Sequence, residues 1–365
     1  MSSKVRVGVI NTSWWADMMY LPALQSHPLA ETAAICGRNR KRADNMAAKY
    51  NIPSVYVDYQ EMIRQGDLDA VIVAPPDEFH HEMTLAALDA GLHVVCDKPL
   101  AMNAQQAGEM YTKAEAAGVK HMVMFTYRWM PFFQYFYDLI KGGYIGRCYH
   151  FDIIFFNGFG RDPEYRWRFD LNRSNGVLGD QGAHMIDMAR WLMGEIDTVS
   201  AQLGCYVDRL GEDGVPTSSA NDTAILLAEF SNGAQGVIQM SAVAYDADRG
   251  MHQQVQIYGE AGSLEINVPY QGSEAGAVIR GVRSGEERFQ TLEIPDVYWG
   301  KVSRSDPYGV FTQHSVGPRL FIDAILEDRP LSPNFYDGYK AQQVIDAAVK
   351  AHRSGRSVTI DNSKR

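Results

Sequence analysis

The segment that most constrains this chain is Ala70-Val71-Ile72-Val73-Ala74, an unbroken apolar run halted by Pro75-Pro76. A run with no polar alternation reads as a strand covered on both faces, the situation of a central strand in a parallel sheet. Its surroundings supply the rest of such a sheet. Residues 5–10, 32–36, 93–96 and 120–125 are further β-branched or apolar runs, and Val55 and Val57 mark a short one. Between them lie helical stretches at 42–50, 59–65 and 78–90, the last closed by Gly91. Another runs from an Asn103 cap to Ala117 and is closed by Gly118. The turn after residue 10 leads into a helix-like stretch to about Leu24. Strands alternating with helices predict a doubly wound α/β domain over residues 1–125.

After residue 126 the texture changes. A helix at 131–141, a strand at 150–156 and a loop rich in Arg, Trp and Asp at 157–175 precede a helix at 184–192. Alternating runs follow at 198–207, 223–230, 234–242, 253–258 and 263–268. Open-faced strands in succession predict an α+β domain over 126–365 built on a largely antiparallel sheet. The stretch 318–352 reads as helical, and its helices are free to pack back on the first domain. Two domains also suit 365 residues, more than one hydrophobic core usually serves.

Composition narrows the partners. A net charge of −10 with scattered basic residues argues against nucleic acid. No run approaches the roughly 18 apolar residues a membrane span needs. With no apolar signal region at the start, the expected location is cytoplasmic. Cys36, Cys96, Cys148 and Cys205 are far apart and form no paired motif. They read as free thiols, and no metal site is expected.

Doubly wound sheets bind ligands at the carboxyl ends of their strands, so those segments carry the chemistry. A dinucleotide needs small residues after the first strand. Here Asn11-Thr12-Ser13-Trp14-Trp15-Ala16 puts Asn11, Ser13 and Ala16 where three glycines are usual. Asn tolerates the left-handed region, and Ser13 has a hydroxyl to offer a phosphate. The second strand ends in Gly37-Arg38-Asn39, with no acid for the ribose hydroxyls. Arg38 is suited to stacking on adenine or pairing with a 2′-phosphate, which tilts the choice between NAD and NADP toward NADP; the alternative is a solvated basic loop. Ala74, Pro75, Pro76 and His80 after the fourth strand, and Asp97-Lys98 after the fifth, complete the candidate cofactor set.

Lys98 follows a buried strand and is held by Pro99, at the strand end that faces a nicotinamide. Asp180 and His184 are four apart; if that stretch is helical they share a face, and otherwise Asp180 caps the helix that follows. Together these groups fit alcohol oxidation. Histidine accepts the hydroxyl proton, lysine stabilises the developing oxyanion, and aspartate orients substrate or imidazole.

These residues resemble the glucose–fructose oxidoreductase, inositol dehydrogenase and rhizopine-catabolism (Gfo/Idh/MocA) family along nearly the whole chain. Cys96-Asp97-Lys98-Pro99-Leu100 resembles its E-K-P segment with Asp97 replacing Glu, and Pro75-Pro76-Asp77-Glu78-Phe79-His80 its T-P-N-x-x-H turn. Tyr127-Arg128 is similar to the Y-R pair opening the second domain, and Gly179 to His184 to the D-x-x-x-H signature. The resemblance implies catalytic roles for Lys98, Asp180 and His184. It also implies a large, mostly antiparallel second sheet that forms dimers or tetramers. For a carbohydrate-like substrate, Lys98, Asp180 and His184 are joined by Tyr127, Arg128, Trp167 and Arg168. Trp129, Arg161 and Asp170 lie nearby in sequence, and core packing is the competing role for Trp129 and Trp167. The expected function is hydride transfer between NAD or NADP and a hydroxyl carbon of a sugar, polyol or glycoside. The alternatives are glycoside cleavage through a transient keto-sugar with retained NAD, and a non-catalytic dinucleotide-binding regulator.

Overall fold

A computed structural model of the chain describes residues 4–211, 214–215, 218–272, 275–304 and 316–362. Two compact units result: Met1–Thr126 with Tyr308–Lys340, and Tyr127–Pro307 with Ala341–Arg365.

The first unit carries a six-stranded parallel sheet in the order β3-β2-β1-β4-β5-β6. The strands are β1 (Val5–Ile10), β2 (Ala30–Cys36), β3 (Ser54–Tyr56), β4 (Ala70–Val73), β5 (His93–Cys96) and β6 (His121–Val123). Every residue of β4 is fully buried, as its unbroken apolar run demands. The order reverses between β1 and β4, which makes their carboxyl ends the switch point of the sheet. Asn103 caps the helix Ala104–Ala117 by accepting from the Gln106 N–H. The helix-like stretch expected after β1 is present but irregular: Ala16–Tyr20 forms a π-helical turn, followed by α-helix at Leu21–Gln25. Such wide turns concentrate at functional sites.

The helix Val316–Glu327 belongs to this unit and packs on β1 and β5, burying Phe321, Ile322 and Ala324. His27 Nε2 meets Asp323 at 3.0 Å, and Arg319 donates to the Ser26 carbonyl at 2.8 Å. Phe335, which opens the helix Phe335–Ser354, packs on His121 at 4.9 Å between rings.

The second unit is built on a nine-stranded sheet. Its strands are β7 (Cys148–Phe156), β8 (Ile196–Gly204), β9 (Thr223–Phe230), β10 (Gln235–Ser241), β11 (His252–Gly259), β12 (Gly262–Pro269), β13 (Val278–Arg283), β14 (Gln290–Thr291) and β15 (Val358–Thr359). Their order is β14-β13-β12-β11-β7-β10-β9-β8-β15. All pairings are antiparallel except β7 with β10. One face is covered by the helix Gly176–Met193, hereafter the central helix, which touches β7, β9 and β10. Strand β9 shows the consequence: Ala224, Leu226, Ala228 and Phe230 point inward, while Ile225, Leu227 and Glu229 are exposed on the other face.

The central helix starts eight residues earlier than the expected 184–192, a correction with a clear cause. Asn221, from the segment before β9, accepts from the Val177 N–H with its backbone carbonyl and from the Leu178 N–H with its side chain, both at 2.9 Å. This borrowed cap satisfies helix-end donors that the local sequence leaves open. Gly176 makes it fit: its φ is +66°, and a Cβ there would lie 2.3 Å from the Asn221 carbonyl oxygen. A cap supplied from 45 residues downstream gives no local signal.

Candidate active site

At the carboxyl edge of the parallel sheet, the first turn is held by side chains. The Asn11 amide donates to the Ala74 carbonyl, tying the end of β1 to the end of β4. Its oxygen accepts from the Ser13 N–H, and the Ser13 hydroxyl accepts from the Trp15 N–H at 3.2 Å. Asn11 is not among the residues with positive φ, so its contribution is the amide and not the left-handed freedom expected of it. Thr12 faces Gly37 at the end of β2, where a Cβ would lie 2.4 Å from the Thr12 methyl. Trp14 is 68% exposed and meets Trp15 edge-on at 5.3 Å. Arg38 is exposed and lies over the Phe79 ring at 5.7 Å, while Asn39 caps the next helix by accepting from the Arg42 N–H.

His80 joins the two loops that follow β4 and β5. Its Nδ1 lies 2.8 Å from the Pro99 carbonyl and its Nε2 2.9 Å from the Pro75 carbonyl. Carbonyls only accept, so both ring nitrogens must carry protons, and the buried ring is an imidazolium. Burial opposes that charge, but the Cys96 sulfur and the Asp77 and Asp97 carboxylates more than offset it, and the ring is pushed up to about 10. His121 shows the contrasting case. One nitrogen accepts from the Phe335 N–H and the other meets the Glu115 carboxylate, so a neutral ring suffices, and burial lowers it.

His80 thereby braces the loop that carries Lys98. The Lys98 N–H donates to the Asp97 carboxylate at 2.8 Å, and the Asp97 N–H to the Val73 carbonyl at 2.9 Å. Tyr20, at the end of the π-helical turn, is fully buried. Burial and the Asp97 carboxylate hold its phenol well above the usual range. Sequence reading missed Tyr20, because the irregular turn that points it inward has no local signature.

In the second unit, Asp180 and His184 both lie inside the central helix, so Asp180 is not its cap and the two share a face. Asp180 accepts from Arg168 Nε at 3.3 Å, and the Arg168 guanidinium stacks over Trp167 at 4.4 Å. Trp167 and Arg168 are half-buried, so neither is core. His184 packs against the Tyr127 ring, edge to face at 4.7 Å, and both are buried. Arg128 is buried too. Its guanidinium forms a two-point ion pair with Asp187, Nε to Oδ2 at 2.8 Å. Asp187 was missed in the sequence, although its place one turn beyond His184 was the available signal. Trp129 is half-buried. Arg161 lies over Tyr245, and Asp170 accepts from the Asn172 N–H.

Among the described residues, no cluster of three or more His, Cys, Asp or Glu side chains is arranged to hold a metal ion, and no helix is long and apolar enough to cross a membrane. The four cysteines are free thiols. Burial pushes Cys36 up to about 12 and Cys148 to about 11.

Comparison with known proteins gives this arrangement its context. Residues 5–125 match an oxidoreductase family with an NAD-binding Rossmann fold, and residues 133–265 match the GFO/IDH/MocA C-terminal domain. The chain belongs to the Gfo/Idh/MocA family. Levoglucosan dehydrogenase of Pseudarthrobacter phenanthrenivorans is 27% identical over 344 residues, covering 87% of this chain and 86% of the relative. Inositol 2-dehydrogenase 2 of Saccharopolyspora erythraea is 30% identical over 341 residues, covering 91% and 88%. Levoglucosan dehydrogenase solved in complex with NADH and levoglucosan has a TM-score of 0.89 at 26% identity, covering 99% of this chain and 100% of that one. In this Gfo/Idh/MocA chain the residues present fit a dinucleotide. The turns after β1, β2, β4 and β5 lie along one sheet edge at the switch point, with a helix start beside the first of them.

The imidazolium of His80 has a pH signature. A raised folded-state value stabilises the fold fully below the ordinary 6.5, and that stabilisation is lost as pH rises through about 10. Urea midpoints of the wild type are therefore expected to fall between these limits relative to a His80→Gln variant. Parallel curves would show that the ring is neutral.

Proposed function

We propose that this chain catalyses reversible hydride transfer between NADP and a hydroxyl-bearing carbon of a neutral sugar, polyol or glycoside. The observation that carries the reading is the placement of Asp180 and His184 one turn apart on the central helix, with Asp180 the more accessible of the two. The names of the relatives, dehydrogenases of levoglucosan and inositol among them, support the substrate class.

His184 takes the hydroxyl proton at a ring nitrogen as the substrate carbon is oxidised, and returns it in the reverse direction. The Lys98 ammonium stabilises negative charge on the substrate oxygen. Asp180, oriented by Arg168, accepts a hydrogen bond from a substrate hydroxyl. The Trp167 face gives a sugar ring an apolar surface. A bound nicotinamide supplies the hydride acceptor. The residues that would hold the cofactor are those of the Asn11–Trp15 turn, Arg38, the Ala74–Pro76 turn and the His80-braced Asp97-Lys98 loop. NADP is favoured over NAD because β2 ends in Gly37-Arg38-Asn39, where a carboxylate would otherwise repel a 2′-phosphate. We also infer a homo-oligomer formed through the open face of the nine-stranded sheet, where Ile225, Leu227, Tyr258 and Val278 are exposed.

A panel of sugars, polyols and glycosides incubated with each oxidised cofactor should yield reduced nicotinamide with at least one compound. Lys98→Met should lower kcat about 10²–10³-fold. His184→Asn should lower it about 10²–10⁴-fold. Full activity in either variant would remove that residue from the mechanism. Fluorescence titration should show tighter binding of NADPH than NADH, with Arg38→Ala abolishing the difference; equal affinities in the wild type would reject the preference. Sedimentation should give a dimer or larger species that Leu227→Glu dissociates, and a monomeric wild type would rule the assembly out.

A further inference from the structure

We propose that Arg128 and Asp187 are positioning residues whose ion pair sets both the placement and the proton affinity of His184. This rests on the reading of His184 as the proton acceptor.

Two consecutive residues of the 3-10 turn Thr126–Trp129 meet two residues of the central helix one turn apart: Tyr127 meets His184, and Arg128 meets Asp187. The second contact is the stronger tether. The pair is two-pronged, and its side chains are 7% and 1% exposed. Arg128 is further fixed by Trp191, whose ring lies 5.9 Å from the guanidinium, and its carbonyl accepts from the Gln134 amide. Tyr127 is held by edge-on contacts to Phe133 at 6.3 Å and Phe155 at 5.8 Å. The ion pair therefore fixes the register of turn against helix, and Tyr127 passes that register to the imidazole.

The charges matter as well as the geometry. His184 shares its helix with Asp180 one turn before it and Asp187 one turn after it. Arg168 offsets the first carboxylate and Arg128 the second. The phenol of Tyr127 also lies against the ring. Removing Arg128 takes away a positive charge one turn from the imidazole, and removing the Asp187 charge takes away a negative one. The two changes must move His184 in opposite directions.

The test uses the full-length protein with ¹³C-labelled histidine, His184 being assigned by comparison with His184→Asn. Arg128→Met should raise the His184 titration midpoint by about one pH unit, and Asp187→Asn should lower it by a similar amount. The rising limb of kcat/KM for substrate oxidation should move with it. Arg128→Lys keeps the charge but not the two-pronged geometry; it should leave the midpoint in place while lowering kcat about tenfold at unchanged KM. A folded Arg128→Met variant with an unmoved midpoint overturns the proposal. Should that variant not fold, Asp187→Asn carries the same test with the opposite sign. A midpoint that moves while the rate profile stays fixed supports the pair and instead removes His184 as the proton acceptor.

Discussion

The second unit depends on a helix buried on nearly all sides. Every residue of the central helix except Asp180 and Trp191 is buried between the sheet and its surroundings. A helix in that position can carry a polar side chain only where a partner satisfies it, because an isolated buried charge costs several kcal/mol. The charged residues obey this: Asp180 faces Arg168, Asp187 is held by Arg128, and Arg190 is held by Glu195 at 2.7 Å; the buried Gln181 amide, with no hydrogen-bond partner among the described residues, is an exception. The same requirement reaches the helix start, where Asn221 supplies what local sequence does not. Candidate chemistry thus sits on the most rigidly constrained element of the unit.

The first unit meets a related requirement by other means. Where glycines usually let backbone approach a phosphate, Asn11, Ser13 and their hydrogen bonds fix the turn from within. Where two proline-bounded loops leave carbonyls facing inward, a doubly protonated His80 donates to both. In each case a side chain replaces conformational freedom with a specified contact, and the cofactor edge is shaped before any ligand arrives.

What the sequence made legible follows from the range of the interactions involved. The strands of the parallel sheet were readable because burial on both faces writes itself as an apolar run, as at residues 70–73. Asn103 was readable because its cap acts three residues away. Asp180 and His184 were recognisable as a pair because helical spacing is local. The true start of the central helix, the bracing of Arg128 by Asp187 and the burial of Tyr20 were not, since each is fixed by contacts remote in sequence or by an irregular turn. The edge strands β14 and β15 and the neighbouring β13 escaped notice because the first two are only two residues long and β13 includes Arg280, Gly281 and Arg283.

The helix Val316–Glu327 belongs to the first unit, although some 190 residues separate it from the end of that unit's sheet-forming segment. During synthesis the six strands are complete long before the helix that covers β1 and β5 exists. A nascent chain therefore carries a nearly finished sheet with an apolar flank bare, the condition under which partly folded chains associate wrongly. Parallel pairing of β7 with β10 imposes a similar delay on the second unit, since its middle strand waits for a partner more than 80 residues later. Both units close only when the last part of the chain has been made, so neither can be cut out as a contiguous piece.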